Sequence, residues 1–432
     1  MPSAPVSRRW HPRALRRPRT QAADVNPELT RRTPPRVAMF GLFGVGNIGN
    51  EASLTAGVRA VRHVVPDADV IVVGAYPEVV SGQHGLASVS LITGGALPKL
   101  WSAPRLARVA LRPLAEPLRW WSVGRFLRSV DAVVVPGTGI LDDFGVGPQQ
   151  MPYDIFRWTT LARLTRTPWA MVAVGAGPIE HRASRWLMTQ AVANSTVVTY
   201  RDEGSRRFMT ELGRAASPDA VQPDVVFSFP LPTDHRPGES PGHVGLGVMA
   251  YRGWSAEPAE GSAVFDRYVD ALGEIAVRLI ERGHRLRLLV GEDDDAIAVE
   301  RVLEIVRRKL DDAVDAVIVE PIRTFDDLMV QVSFTDAVVA TRFHNIVAAL
   351  MMSRPTVSLG YAEKNRELMT RFGLGDRCQH VEHIDVEQVL DDTEAVLRDR
   401  KAITDAMGKV NSDNRSEVER RFAGIFAALG LS

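Results

Sequence analysis

The segment Val338–Tyr361, VVATRFHNIVAALMMSRPTVSLGY, sets Arg342 and His344 at the point where a buried apolar strand gives way to a helix. In an open α/β sheet, ligands bind in the crevice beyond the carboxyl ends of the strands, and a helix N-terminus offers unpaired N–H groups to an anion. Arg342 and His344 at such a junction would supply an anion clamp and a titratable group, imidazole being the side chain best suited to proton transfer near neutral pH. A helix cap or a hydrogen-bonded structural histidine would present the same pattern.

Three further loops carry residue types able to do chemistry. The first, GLFGVGNIGNEASLTAG over Gly41–Gly57, follows a strand and opens a helix, and its glycines permit positive φ and close approach of backbone N–H groups to a ligand. Gly44, Gly46 and Gly49 spell G-x-G-x-x-G, but Gly74 and Ala75 stand where a dinucleotide site needs an acid, and the lysine and Ser/Thr of a phosphate-binding P-loop are missing. A tight turn would also explain the glycines, although Asn47, Asn50 and Glu51 make the loop more polar than packing needs. The second, VVVPGTGILDDFG over Val133–Gly145, places Asp142 and Asp143 after a glycine turn, where they would bind sugar hydroxyls, activate a nucleophile or cap a helix. Two adjacent acids without a third make a weak metal site, and no metal is expected. In the third, TYRDEGS over Thr199–Ser205, Arg201 can hold phosphate or carboxylate bidentately, and a helix starting at Asp202 would bring its dipole and Ser205 to bear. A surface pairing of Arg201 with Asp202 or Glu203 is the alternative.

The elements that must position these loops are legible as β-branched runs alternating with amphipathic stretches, the pattern of a parallel sheet wrapped by helices. Strands are expected at Val37–Gly41, Val70–Gly74, Ala132–Val135, Ala170–Gly175 and Thr196–Tyr200. A second series follows at Val244–Met249, Leu286–Val290, Ala316–Val319, Ala337–Ala340 and Thr356–Leu359. Between the series, PLPTDHRPGESPG has the proline and glycine density of a linker. The reading is therefore α/β, with two doubly wound, Rossmann-like domains facing a cleft. Residues 37–229 form the first domain, 230–242 the linker and 243–432 the second, whose closing helices after Asp385 pack back against the first.

Composition bounds the function. A chain of 432 residues exceeds what one core usually supports, and its 45% hydrophobic content is enough for two. Lysine plus arginine and aspartate plus glutamate both number 52, so no global field favours nucleic acid, and no nucleic-acid motif is present. The single cysteine, Cys378, excludes an intramolecular disulfide and fits a reducing cytosol. No apolar run reaches the roughly 18 residues of a membrane span, and the start lacks the apolar core of a signal peptide, so a cytoplasmic place is expected. Residues 1–36, with nine arginines and two acids, are read as disordered. The stretch Leu100–Val130 has six arginines and one acid interleaved with Trp101, Trp120, Trp121 and Phe126. That composition suits a helix lying on anionic lipid at the inner face of the plasma membrane, or a surface hairpin packing its aromatics on the sheet.

Taken in order and spacing, GNIGNEA, GTGILDD, VGAGPI, YRDEGS, QPDVVF around Asp224 and TRFHNIVAALMMSRPTVSLGYAEK resemble the polysaccharide pyruvyl transferase family, from about Val37 to Phe372. The resemblance implies a fold like that of the GT-B glycosyltransferases, phosphoenolpyruvate as donor, and a glycan or lipid-linked sugar as acceptor in envelope polysaccharide synthesis. It also implies a pyruvate ketal across two sugar hydroxyls, released phosphate and no cofactor. Arg201 and Arg342 match the family's arginines and His344 the histidine of its R-x-H motif; Asp143 matches the acid of the glycine-turn loop, and Lys364 a lysine after the strand-end tyrosine. On this reading His344 and Arg342 are catalytic. Arg201, Ser205, Lys364, Gly46, Asn47 and Gly49 bind the donor, while Asp143, Asp142 and Asn50 meet the acceptor. Asn50 stands where the family commonly has aspartate. A glycosyltransferase using a nucleotide sugar, with Glu292 or Glu320 gripping the ribose, is the alternative enzyme, and a non-catalytic envelope scaffold the alternative of another class.

Overall fold

Aliphatic runs buried along their whole length, such as AVVVP, WAMVAV and TVSLG, fit only the interior of a sheet covered by helices on both faces. The structure, a computed structural model, describes residues 34–93, 105–232, 242–253, 258–310 and 313–431, of which 105–114, 258, 313 and 314 are described by their backbone alone. The expectations for residues 1–33 and for most of the 230–242 linker lie outside the described residues, while Arg36, expected in the disordered start, already opens the first strand.

The first six strands are β1 (Arg36–Phe40), β2 (Asp69–Gly74), β3 (Ala87–Ser90), β4 (Ala132–Pro136), β5 (Trp169–Val174) and β6 (Val197–Tyr200). They form one parallel sheet in the order β3-β2-β1-β4-β5-β6, with Val37 registered against Val70 on one side and Ala132 on the other. The second sheet holds β7 (His243–Gly247), β8 (Arg285–Leu289), β9 (Val317–Ile318), β10 (Ala337–Ala340), β11 (Thr356–Gly360) and β12 (Cys378–His380). Its order, β12-β11-β10-β7-β8-β9, repeats the same winding. In each sheet the chain reverses its direction of travel between the first and fourth strands, β1/β4 and β7/β10, which opens a crevice at their carboxyl ends.

All ten expected strands are present, within a residue or two at their ends. The two that the pattern did not mark, β3 with the sequence ASVS and β12 with CQH, are edge strands, short and half polar, which gives alternation little to register.

The halves are joined through one apolar cluster. It takes in Leu54 and Val61 of the helix Ile48–Val64, Val225–Phe227 of a tight turn, Ile346 and Leu350 of the helix Phe343–Met351, and Phe422 and Phe426 of the final helix Arg400–Ala428. Of the closing helices only the final one crosses. Arg415 Nη2 donates to the Phe229 carbonyl (3.1 Å) and Arg421 Nη1 to that of Asp219 (2.6 Å). The helix before it, Val386–Arg398, buries Val389, Leu390 and Val396 in the core of the second sheet and stays there.

A second tie is polar. The helix Glu203–Glu211 begins with its own cap, Asp202, but the N–H groups of Glu203 and Gly204 donate across the cleft to Glu367 Oε2 (2.7 Å) and Oε1 (2.8 Å). A carboxylate at that position answers two orphan donors and the positive end of the helix dipole at once. Glu367→Ala should therefore cost about 1 kcal/mol, the usual scale of a lost cap, and lower the thermal unfolding midpoint measured by calorimetry. An unchanged midpoint would show that this contact does not hold the halves together.

Candidate active site

The loops that leave β1, β4, β6, β7, β8, β10 and β11 all contribute to one cleft of about 730 Å³ at the carboxyl ends of both sheets. Arg201, Phe343, His344, Tyr361 and Lys364 line it together with Asn47, Asn50 and Asp142.

His344 sits in the first turn of the helix Phe343–Met351, a segment whose apolar side chains fix it between the sheets. Its imidazole crosses to the first half and lies directly over Gly49, in the first turn of the helix Ile48–Val64, where any Cβ would overlap the ring. Nε2 is 4.0 Å from Asp224 Oδ2, and neither atom has a hydrogen-bond partner. Burial first, then the charges of Arg201, Lys364 and Arg342, push the imidazole down to about 3, so the ring is neutral at physiological pH.

Arg201 stacks on the ring of Phe343 at 4.5 Å and lies against Gly175, where a side chain would displace its guanidinium. It is 5% exposed, and its nearest carboxylates, Asp202 Oδ2 at 3.5 Å and Asp224 Oδ2 at 3.6 Å, stand too far for a good hydrogen bond. Its Nε makes no hydrogen bond. Lys364 Nζ lies 5.0 Å from the Tyr361 ring and 5.8 Å from that of Phe343, and no carboxylate among the described residues is within ion-pair distance. Both cations act on the imidazole, Arg201 already in loose ion pairs with Asp202 and Asp224 and Lys364 in none among the described residues.

Arg342 is different. Its Nε and Nη2 hold Asp295 Oδ2 and Oδ1 at 2.5 and 2.6 Å, and Nη2 also reaches Glu292 Oε2 at 2.6 Å. Against the effect of burial, Asp295 and then Glu292 raise its pKa. The clamp expected at 342 is thus already closed on protein carboxylates, and Arg342→Ala would report on stability as well as on ligand binding. Glu292 lines the cleft with one carboxylate oxygen held by Arg342, while Glu320 is exposed beyond the short edge strand β9 and does not line it.

Of the two acids after the glycine turn of the second loop, both expected to meet the acceptor, only one lines the cleft. Asp143 accepts from the Glu180 and His181 N–H groups (2.8 and 2.9 Å), which ties one loop to another. Asp142 lines the cleft, and burial, opposed by Lys364 and Arg201, raises its carboxyl above the ordinary range. Ser205 does not line the cleft; its hydroxyl accepts from the Ala176 N–H at 2.9 Å.

The glycine loop is occupied by protein. Ile48 N donates to the Gly291 carbonyl (3.1 Å), Asn47 pairs as an isolated bridge with Glu292, and Gly46 adjoins the Asp293 carboxylate. Its polar side chains order the loop itself: Asn47 caps the helix, Asn50 Nδ2 donates to the Leu42 carbonyl, and Glu51 accepts from the Gly44 N–H. Gly46 and Gly49 therefore make room for the second half rather than for a phosphate cradle, while Asn47 and Asn50 reach the cleft.

Three residues without an expected role belong to the site. Asp224, whose Oδ1 caps the turn Val225–Ser228, points Oδ2 between Arg201 and His344, and burial raises its pKa. Asp295 carries Arg342. Tyr251, after β7, stacks with Tyr361 at 6.1 Å and donates to Glu382 Oε1 at 2.6 Å. Tyr251 could have been suspected from its place after a first strand, but Asp224 follows no strand and Asp295 lies in an acidic run that looks like surface.

The sequence model of a family described as Polysaccharide pyruvyl transferase matches residues 47–363, which is more than half of the chain. The chain belongs to the polysaccharide pyruvyl transferase family. No curated protein matches it. Among solved structures, UDP-GlcNAc 2-epimerase from Neisseria meningitidis bound to UDP-GlcNAc is similar at TM-score 0.56 and 10% identity, over 92% of this chain and all (100%) of that one. S. aureus MnaA in its UDP co-structure gives 0.55 and 11% over 92% and 98%. A glycosyltransferase from Rickettsia africae gives 0.53 and 12% over 92% and 99%. At these identities the likeness concerns the fold, two Rossmann-like domains arranged as in GT-B enzymes, and the family is one of transferases.

The charge state of His344 is directly measurable. In the unliganded protein its ¹⁵N imidazole resonances should remain those of a neutral ring from pH 8 down to about 4. A midpoint near the ordinary histidine value would contradict the buried, cation-flanked setting described above.

Proposed function

We propose that this protein transfers pyruvate from phosphoenolpyruvate to two hydroxyls of a sugar in a glycan or lipid-linked acceptor, forming a cyclic ketal. The observation that carries the reading is a buried imidazole near two cations in a member of this family: Lys364, which has no carboxylate within ion-pair distance among the described residues, and Arg201, which is held by ion pairs of 3.5 and 3.6 Å. A donor bearing a carboxylate and a phosphate answers such a pair of cations.

The proton inventory closes without an outside acid. One acceptor hydroxyl adds to C2 of the enol phosphate and loses its proton, while C3 gains one and becomes the methyl group. The second hydroxyl then displaces phosphate from C2, and its proton leaves with the phosphate. His344 is the relay. In the empty site it is neutral, because burial first and then the charges of Arg201 and Lys364 disfavour its protonation; the donor's negative charge offsets these charges and lets the ring become the imidazolium that protonates C3. Asp224 stands behind Nε2 to stabilise the charged ring, and Asp142 orients an acceptor hydroxyl. Tyr251 and Tyr361 offer aromatic faces on the acceptor side. A nucleotide-sugar reaction lacks equal support, since Glu292 is held by Arg342.

Calorimetric titration tests the donor. Phosphoenolpyruvate should bind where UDP- and GDP-sugars do not, and Arg201→Ala should weaken it at least about tenfold, the scale of one charge-assisted hydrogen bond. Binding should take up a proton, seen as an enthalpy that depends on the buffer's ionisation heat, and affinity should fall as pH rises from about 3 toward the pKa of the complex. The uptake should vanish in His344→Asn. Preferential binding of a nucleotide sugar would reject the donor assignment, and absence of uptake would reject His344 as the acid.

Turnover separates binding from chemistry. His344→Ala should lower kcat by at least about 100-fold with phosphoenolpyruvate affinity largely kept. Undiminished turnover would remove His344 from the reaction.

A further inference from the structure

The helices Arg105–Leu127, Met151–Thr165 and Arg182–Asn194 lie side by side on one face of the first sheet. Their inner sides fill a core with Phe126, Trp158 and Met188. Their outer sides are unusual in what they expose. Leu118 and Trp121 (58% exposed) project from the first helix, Leu164 (71%) from the second and Trp186 (56%) from the third. Around them stand Arg125, Arg128, Arg163, Arg166, Arg182 and Arg185, all exposed, and none is ion-paired with a carboxylate among the described residues. The two acids of these helices, Glu116 and Asp154, are turned inward onto Arg119 and Arg157.

An outward face of tryptophan, leucine and unpaired arginine, without an exposed acid on its three helices, has the makeup of an interfacial surface. Arginine beside tryptophan, as in the 5.9 Å approach of Arg125 to Trp121, suits the headgroup boundary, where the ring is half in hydrocarbon and the guanidinium meets phosphate. An acidic protein surface would satisfy the arginines but would leave the scattered large apolar groups without a continuous medium to enter. Among the described residues no helix is long and apolar enough to cross a membrane, so any attachment through this face is peripheral.

We propose that this three-helix face seats the protein on an anionic phospholipid bilayer. The surface extends the interfacial helix expected over residues 100–130: two of its three helices come from elsewhere in the chain, and Trp120 and Phe126 of the expected set point inward, Trp120 Nε1 donating to Tyr153 Oη. The proposal is independent of what the cleft does.

Flotation of the full chain with phosphatidylcholine vesicles, with and without phosphatidylglycerol, tests it. Binding should require phosphatidylglycerol and weaken with salt. Arg163→Glu combined with Arg182→Glu should reduce the bound fraction at least about tenfold, since one arginine near such a surface contributes roughly fivefold in partition. Trp121→Phe and Trp186→Phe should each remove part of a vesicle-induced blue shift in tryptophan emission, which a purely electrostatic encounter would not produce. Circular dichroism controls for folding. Full retention of binding by the charge-reversed protein would place attachment elsewhere, for instance in the arginine-rich start of the chain. No binding of the natural chain, or capture of an acidic protein without any affinity for vesicles, would overturn the proposal equally.

Discussion

Asp295 is fully buried and receives five hydrogen bonds from three different loops: the N–H groups of Ala250, Gly291 and Glu292, and two from the Arg342 guanidinium. The loops after β7, β8 and β10 thus meet at one carboxylate, and the wall of the cleft formed by the second sheet is shaped around it. Removing one partner from a buried pair costs about 3–5 kcal/mol because the other charge is stranded. Arg342 earns its position through this bond: with its backbone extended just before the helix Phe343–Met351, it sets the direction in which Phe343 and His344 leave the strand. Phe343 in turn supplies the surface on which Arg201 and Lys364 rest.

The fold was legible because parallel strands buried on both faces write continuous aliphatic runs, and ten of these stand out from the chain. β3 and β12 did not, since an edge strand with one neighbour needs few apolar groups. The site was legible wherever a charged side chain follows such a run: Arg201 after β6, Arg342 and His344 after β10, Lys364 after β11. It was illegible wherever function depends on a partner from the other half. Nothing local says that Arg342 is neutralised by Asp295, that Asp142 rather than Asp143 turns inward, or that Gly46 and Gly49 clear space for Asp293 and His344. Each is decided by a contact between distant segments, which single-sequence patterns do not carry.

The electrostatics of the empty cleft are unbalanced. Arg342 is compensated at close range, while Arg201 rests on an aromatic face with looser ion pairs and Lys364 on aromatic faces alone, and the imidazole near them stays neutral through burial and their charge. Low solvent access strengthens every one of these interactions relative to water. A polyanionic ligand would bring the missing charge, so that binding and protonation become linked through the protein's own cations rather than through a dedicated proton donor.

The contact between Gly49 and the His344 ring joins a helix of one sheet to a helix of the other with no intervening atom. Only hydrogen fits at position 49 while imidazole stands at 344. Neither position can drift alone: a larger residue at 49 becomes acceptable only together with a shorter one at 344, and the two should vary as one inherited character among relatives that share this cleft.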